Sequence, residues 1–345
     1  MLNKKEVKEI REHLERAQNP IFFFDNDSDG LCSFLLLQRY IGRGKGVCIK
    51  SFPFLEKSYF HKVRELNSDY IFILDKPEVS QDFLEEASKL NLPVVWIDHH
   101  EIDRDLVPKF VYYYNPIFSS GDNAPVTTLC YQVSNKKEDL WIAVAGAIAD
   151  CYLPDYYAEF EKRYPDLSVK AKKAFDVLYN SEIGKLSAII NAGLKDTTTN
   201  VVSMLKFLIK AKTPYEVLEE TPKNHLMHKR FKEIEGKYNL LLDKAKQKAG
   251  KDKILFFKYS GNLKVNGELA NQLSYLFPKK IIIVAYVGDA KVNLSIRGED
   301  ILPIFEKVIL NFKEAHGGGH QNSVGGQLHV KDLDKFISLM KQEIN

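Results

Sequence analysis

Three short apolar runs in the first hundred residues each end on an acid. Pro20–Phe24 runs into Asp25, Tyr70–Leu74 into Asp75, and Pro93–Ile97 into Asp98. Apolar runs this short, bounded by polar residues, read as strands buried on both faces. Two further runs, Val47–Phe52 and Phe110–Tyr114, join them, and helical patterns near 31–42, 57–66 and 81–90 lie between. This alternation predicts a largely parallel sheet with helices on both faces. Sheets of that kind bind ligands at the carboxyl ends of their strands, which is where the acids fall.

The first of these ends reads DNDSDG, placing Asp25, Asp27 and Asp29 together before Gly30, which is expected to break the strand. Three carboxylates at the end of a buried strand repel one another unless cations sit among them. A calcium loop is excluded, because position twelve counted from Asp25 is Leu36, not the glutamate such a loop needs. Asp98 is followed by His99 and His100, and the small-residue helix AVAGAIAD ends on Asp150. Each alone reads as a helix cap, a turn acid or a core histidine. Their common placement at element ends is what points to a ligand set. Mixed carboxylate and imidazole donors suit manganese, and their number suggests two ions sharing a bridging carboxylate.

From 154 to 250 the patterns are helical, and no strand is expected. Within 221–250, eight basic side chains face three acids, which reads as a solvated helix face or as a surface tracking phosphates. Strand patterns return at Lys253–Lys258, Lys280–Val287, Lys291–Arg297 and Gly326–Val330. The expected architecture is therefore α/β: a parallel-sheet catalytic domain over 1–153, a helical insertion or connector over 154–250, and a smaller α/β domain over 251–345. A composition of 45% hydrophobic and 28% charged residues excludes a largely disordered chain. No apolar run is long enough to span a membrane, and the start MLNKKEVKEIREHLERAQ has no apolar signal core, so a cytoplasmic protein is expected. The cysteines at 32, 48, 130 and 151 have no metal-type spacing and are expected to be buried, reduced thiols.

With these residues in place, the sequence resembles the DHH phosphoesterase superfamily, named for the triplet seen here as Asp98-His99-His100. DNDSDG at Asp25–Gly30 is similar to the first motif of the RecJ-like branch. The histidine and proline that oligoribonuclease-like relatives place ahead of their aspartates are missing. Asp75, the triplet and Asp150 supply the later motifs. VNLSIRG at Val292–Gly298 and HGGGHQNSVGG at His316–Gly326 match the DHH-associated C-terminal domain.

The resemblance implies roles. Asp27 and Asp29 would ligate different metals, Asp75 would bridge them, and His99 and Asp150 would complete the second site. Asp25 would be a ligand or would orient the attacking water. Asp98 would buttress the histidines, and His100 would touch the scissile phosphate or protonate the leaving group. In the second domain Arg297, Gly317, Gly318, Gly319 and His320 would hold a phosphate, His320 close to the reacting one, with the substrate between the two domains. The implied function is a manganese-dependent phosphodiesterase with two ions (magnesium an alternative), most readily an exonuclease on single-stranded DNA or RNA. Two alternatives stand beside it. One is a phosphoesterase for short oligonucleotides, a cyclic dinucleotide or a nucleoside bisphosphate; the other is a replication-associated scaffold, for which every motif acid and histidine being present is unfavourable. A homo-oligomer and a replication or repair partner are left open. The larger RecJ enzymes carry an added oligonucleotide-binding domain, for which the residues after His329 are too few. Tyr112–Tyr114 reads first as a strand with one buried face, and second, with Asn115–Pro116, as a stacking surface for bases.

Overall fold

The computed structural model describes residues 1–51 and 53–344; the apolar run Val47–Phe52 ends on a residue outside them. The first unit, Met1–Phe231, contains strands β1 (Pro20–Asp25), β2 (Lys45–Ile49), β3 (Phe54–Leu55), β4 (Tyr70–Leu74), β5 (Glu78–Val79), β6 (Val94–Ile97) and β7 (Val111–Tyr114). Five of them form one parallel sheet in the order β2-β1-β4-β6-β7, while β3 and β5 pair separately. From β1 the chain moves one way to β2 and then back past β1 to β4. The gap between β1 and β4 is therefore the point where the strand order reverses, and sheets of this kind bind ligands at the carboxyl ends of such a point.

Side chains of β1 alternate between the two faces. Phe22 and Phe24 pack on Phe34 of the helix Ser28–Ile41, with ring centroids 5.6 Å and 5.2 Å away. Phe23 points the other way, edge-on to Phe83 at 5.4 Å. Burial of each such ring contributes up to about 3 kcal/mol, so β1 is pinned from both sides, and its end is a rigid platform.

The strand-to-helix turn differs from expectation. The strand ends at Asp25, Ser28 is already helical, and Gly30 lies in the first turn of the helix instead of breaking the strand. Asp27 caps that helix, its Oδ1 accepting from the Gly30 amide at 2.9 Å. A Cβ on Gly30 would stand 2.7 Å from both the amide nitrogen and the carbonyl oxygen of Asp25. Only glycine lets the helix start so close to the strand end.

The helices Val126–Ser134, absent from the sequence reading, and Leu140–Ala149 pack on Ser28–Ile41; Gly146 lies against Cys32 and Thr127. Beyond them come Tyr157–Arg163, Ala174–Asn180, Glu182–Leu194, Thr198–Leu208 and Pro214–Leu218, then the long helix His225–Lys246. Lys229, Lys232, Lys237, Lys244 and Lys246 of that helix are exposed. No disulfide joins the described cysteines; Cys32 and Cys130 are buried as expected, but Cys48 is half-buried and Cys151 exposed.

The second unit, Lys232–Asn345, holds β8 (Ile254–Tyr259), β9 (Ile281–Val287), β10 (Lys291–Arg297), β11 (His316–His320) and β12 (Ser323–His329). They form a mixed sheet in the order β11-β12-β10-β9-β8, in which only β8 and β9 run parallel. Leu269 and Leu273 cover one face; Phe305 and Phe336 belong to the core on the other. Among the described residues no helix is long and apolar enough to cross a membrane.

Because the Gly30 contacts are to backbone, which cannot swing aside, Gly30→Ala should destabilise the first unit by about 1–3 kcal/mol. Urea unfolding followed by tryptophan fluorescence measures this. A wild-type midpoint would mean that the turn has more room than these contacts give it.

Candidate functional site

The site is assembled at the ends of β1, β4 and β6. Phe24 is level with Leu74, and Leu74 with Ile97, so Asp25, Asp75 and Asp98 leave three adjacent strands side by side. Asp75 has a left-handed backbone, φ 58°, which aspartate tolerates better than most residues. In an extended strand successive side chains point to opposite faces; the turn at Asp75 instead lets both Asp75 and Lys76 be buried at the strand ends.

Asp29 is nearly fully buried, and both its oxygens are used. Oδ2 accepts from the Val126 amide at 2.9 Å and Oδ1 from the Thr127 amide at 2.7 Å. These amides open the helix Val126–Ser134 and have no intrahelical partner. The carboxylate thus ties the site to that helix while keeping lone pairs for a cation.

His99 Nδ1 lies 3.2 Å from the Asn123 carbonyl. Facing an acceptor, that nitrogen donates, which leaves Nε2 turned toward Asp75 Oδ1 at 3.4 Å and Asp150 Oδ2 at 3.8 Å. Asp29, His99 and Asp150 bring ligand atoms within 4.8 Å of one another, as do Asp75, His99 and His100. In the second group His100 Nδ1 is 4.0 Å from Asp75 Oδ1 but 2.8 Å from Asp98 Oδ1. The shorter contact claims that nitrogen for the fully buried Asp98. Tyr113 donates to the other Asp98 oxygen at 3.4 Å, and Asn115 Nδ2 donates to the His100 carbonyl at 2.8 Å.

Crowding dominates the electrostatics. Burial, reinforced by Asp25 and Asp29, pushes the Asp27 carboxyl up to about 7. Burial, with Asp29 and Asp27, carries Asp75 well above the usual carboxylate range. Burial alone would lower the His99 imidazole, but the hydrogen bond and charge of Asp75, helped by Asp29 and Asp150, push it up to about 11. A dication among these groups would reverse the carboxyl shifts. Oxygen donors with one imidazole nitrogen fit manganese or magnesium better than a thiolate-seeking metal.

Asp25 stands apart. The Lys76 ammonium lies 2.7 Å from its Oδ1, and neither ligand group includes Asp25 or Asp27. The sequence reading gives Lys76 no role, and gives Tyr113 and Asn115 one only as part of a stacking surface for bases, not as supports of Asp98 and His100. A lysine directly after a strand-end aspartate was the available signal for the first. The tyrosine and asparagine sit in a run that reads as ordinary strand and turn.

In the second unit Arg297 and His320 share a register row: Ser323 pairs with Arg297 on one side and His320 on the other. Arg297 Nε donates to Asn271 Oδ1 at 2.6 Å, and its Nη1 to the Ile296 carbonyl at 2.8 Å, which fixes the guanidinium. The three glycines lie in an exposed edge strand, and their reasons differ. A Cβ on Gly317 would meet the Gly325 carbonyl at 2.4 Å, and one on Gly319 the Ser323 carbonyl at 2.2 Å; at Gly318 it would meet nothing. Packing therefore accounts for Gly317 and Gly319. Gly318 is bare backbone facing outward, suited to an anion's approach.

A model of the DHH family, N-terminal domain, matches residues 21–153, and a model of the DHHA1 domain matches residues 242–345. The fold is similar to RecJ from Thermus thermophilus in complex with Mn2+, with a TM-score of 0.68 at 15% identity over 98% of this chain and 54% of that one. This chain thus spans about half the length of that RecJ. It is also similar to the pGpG-specific phosphodiesterase PggH of Vibrio cholerae, with a TM-score of 0.53 at 12% identity over 94% of this chain and 99% of that one. A third similarity is to CDC45 from Entamoeba histolytica, with a TM-score of 0.50 at 10% identity over 99% of both chains. At these identities the likeness establishes the fold. No curated protein matches the sequence.

The raised Asp27 carboxyl carries a prediction about pH. A carboxyl lifted from the ordinary 3.8 to about 7 by the fold contributes stability that is complete below the ordinary value and is lost as pH rises through the raised one. In chelator, the melting temperature of the first unit should therefore fall between about pH 5 and pH 8, with Asp27→Asn flattening the slope. Mn2+ should restore stability at the upper end. Thermal melts by circular dichroism measure all three, and a rise with pH in wild type and variant alike would contradict the crowding. The glycines carry another: Gly317→Ala should lower the melting temperature of the second unit while Gly318→Ala leaves it unchanged. Equal effects would remove the distinction between them.

Proposed function

We propose that this chain, which belongs to the DHH phosphoesterase superfamily, hydrolyses phosphodiester bonds with the aid of two divalent ions, Mn2+ by preference, and acts as an exonuclease on single-stranded nucleic acid. The observation that carries the proposal is the meeting of Asp29, Asp75, His99 and Asp150 at the β1/β4 switch point, with His99 Nε2 turned inward. Asp27, Asp29, Asp75, His99 and Asp150 are the residues proposed to hold the ions. Divalent ions bound there would supply Lewis acidity, making water nucleophilic near neutral pH and offsetting charge on the phosphoryl oxygens.

The chain's own groups supply the rest. Asp98 fixes the His100 ring through Nδ1, which leaves its Nε2 to carry a proton toward a departing oxygen. His100 is partly exposed, as a group that meets substrate must be. The Asn123 carbonyl holds His99 Nδ1, which aims Nε2 at Asp75 and Asp150. In the second unit Arg297, His320 and the Gly318 backbone are proposed to hold substrate phosphate. No nucleophilic serine or cysteine is invoked.

A second reading, cleavage of short oligonucleotides or of a dinucleotide, draws on the fold shared with PggH over nearly all of both chains. One experiment weighs both: end-labelled single strands of DNA and RNA of graded length, with blunt duplexes and dinucleotides alongside, in Mn2+, Mg2+ or chelator. The proposal expects cation-dependent release of mononucleotides from single strands, with duplexes much slower. Dinucleotides cut while longer strands persist would select the second reading. Full activity in chelator would defeat the metal mechanism. Asp98→Asn should cost about 10–100-fold in rate, as expected when a partner that orients a reacting or ligating histidine is lost; wild-type kinetics would leave Asp98 a structural acid.

A further inference from the structure

Lys76 is fully buried, although lysine is rarely so. Its ammonium donates to Asp25 Oδ1 at 2.7 Å and to the Ser51 carbonyl at 2.6 Å. Its backbone is held as well: the preceding residue takes the left-handed turn, and Trp96 Nε1 donates to the Lys76 carbonyl at 2.9 Å. The ammonium cannot reach a substrate, because no part of the residue is exposed. Its place is fixed from both ends of the side chain, and in the chain it directly follows Asp75, one of the acids proposed to bind metal.

We infer that Lys76 is a positioning residue, a built-in cation that withholds Asp25 from the metal centre, so that this chain holds its ions with one carboxylate fewer than the DNDSDG string offers. The inference rests on the metal reading above and takes up one side of the sequence reading, in which Asp25 is either a ligand or orients the attacking water. A dication on Asp25 would have to share Oδ1 with an ammonium already in hydrogen-bond contact, and the two positive charges would stand within a few ångströms of each other. Releasing Asp25 to the metal would instead leave a buried ammonium without its counter-charge, which is the costlier way to break a buried pair. Asp25 and Asp27 both lie outside the two groups of converging ligand atoms, but it is the Asp25 oxygen that meets the ammonium. Neutralised and held by Lys76, its carboxylate is left to orient water or a neighbouring side chain.

The test is Mn2+ binding to the full chain, by calorimetry and by electron paramagnetic resonance of the free ion, in wild type, Lys76→Met and the double variant Lys76→Met/Asp25→Asn. Lys76→Met frees Asp25 and should tighten the weaker Mn2+ about tenfold or more, the usual scale for gaining or losing a group at a metal site. The double variant removes a neutral pair and should bind Mn2+ as wild type does. If Asp25 is a ligand in the native protein, the double variant loses it and binds about tenfold or more weakly, which overturns the inference. Should the variants not fold, a crystal structure of the Mn2+-loaded wild type decides. An ion within about 2.0–2.6 Å of an Asp25 oxygen overturns the inference, and a Lys76–Asp25 pair intact beside the ions supports it. Absence of Mn2+ binding in every protein, wild type included, overturns the metal centre and the inference together, a result distinct from weakened binding in the double variant alone.

Discussion

Repulsion between carboxylates gathered at the β1/β4 gap organises the first unit. Parallel strands deliver Asp25, Asp75 and Asp98 to one level, and the turn after β1 adds Asp27 and Asp29. A cluster like this survives burial only if each charge finds a partner. The structure answers acid by acid. Asp29 takes two amides from the start of Val126–Ser134, Asp27 takes the Gly30 amide, Asp25 takes the Lys76 ammonium, and Asp98 takes the His100 imidazole. Asp75 has two imidazoles nearby but at longer range, His99 at 3.4 Å and His100 at 4.0 Å, and it is one of the carboxyls driven far upward. The unmet part of the demand falls at Asp75, one of the residues proposed to hold the ions.

This accounting explains what the sequence makes legible. Short apolar runs ending on acids announce both the parallel sheet and the place of the chemistry, because strand burial and ligand placement follow from the same βα periodicity. The pairing of each acid is not announced. Asp29 meets amides nearly a hundred residues away, and nothing in PVTTLC marks that helix as its partner. Lys76 is adjacent to a proposed ligand, yet its burial depends on the positive φ at Asp75, and a sequence does not show which aspartates turn left-handed. Gly30 misleads for a related reason: glycine after a strand reads as a breaker, whereas here it is the residue that lets a helix start against the strand end.

The second unit teaches the converse. HGGGH lacks every residue that favours a strand, and it is nonetheless β11, because β12 offers a full ladder beside it. Gly317 and Gly326 meet the Phe305 ring, where any Cβ would collide. Two of the three glycines are thus explained by packing before any ligand is considered, and a motif that reads as uniformly functional divides into structure and Gly318.

The two units also differ in how an anionic substrate would meet them. Without ions the first unit presents the carboxyls of Asp27, Asp75 and Asp150, and a phosphodiester is repelled by any of these that is ionised. The same crowding that lifts Asp27 and Asp75 makes a dication the species best suited to that gap, and its arrival changes the sign of the local field. The Arg297 guanidinium carries its charge at every accessible pH and is held by Asn271 whether or not metal is present. On the proposed function, attraction for phosphate is therefore permanent in the second unit and conditional in the first. Hydrolysis would require metal loading even where substrate binding did not, and Lys76, by holding one carboxylate out of the exchange, would help set how tightly that loading is held.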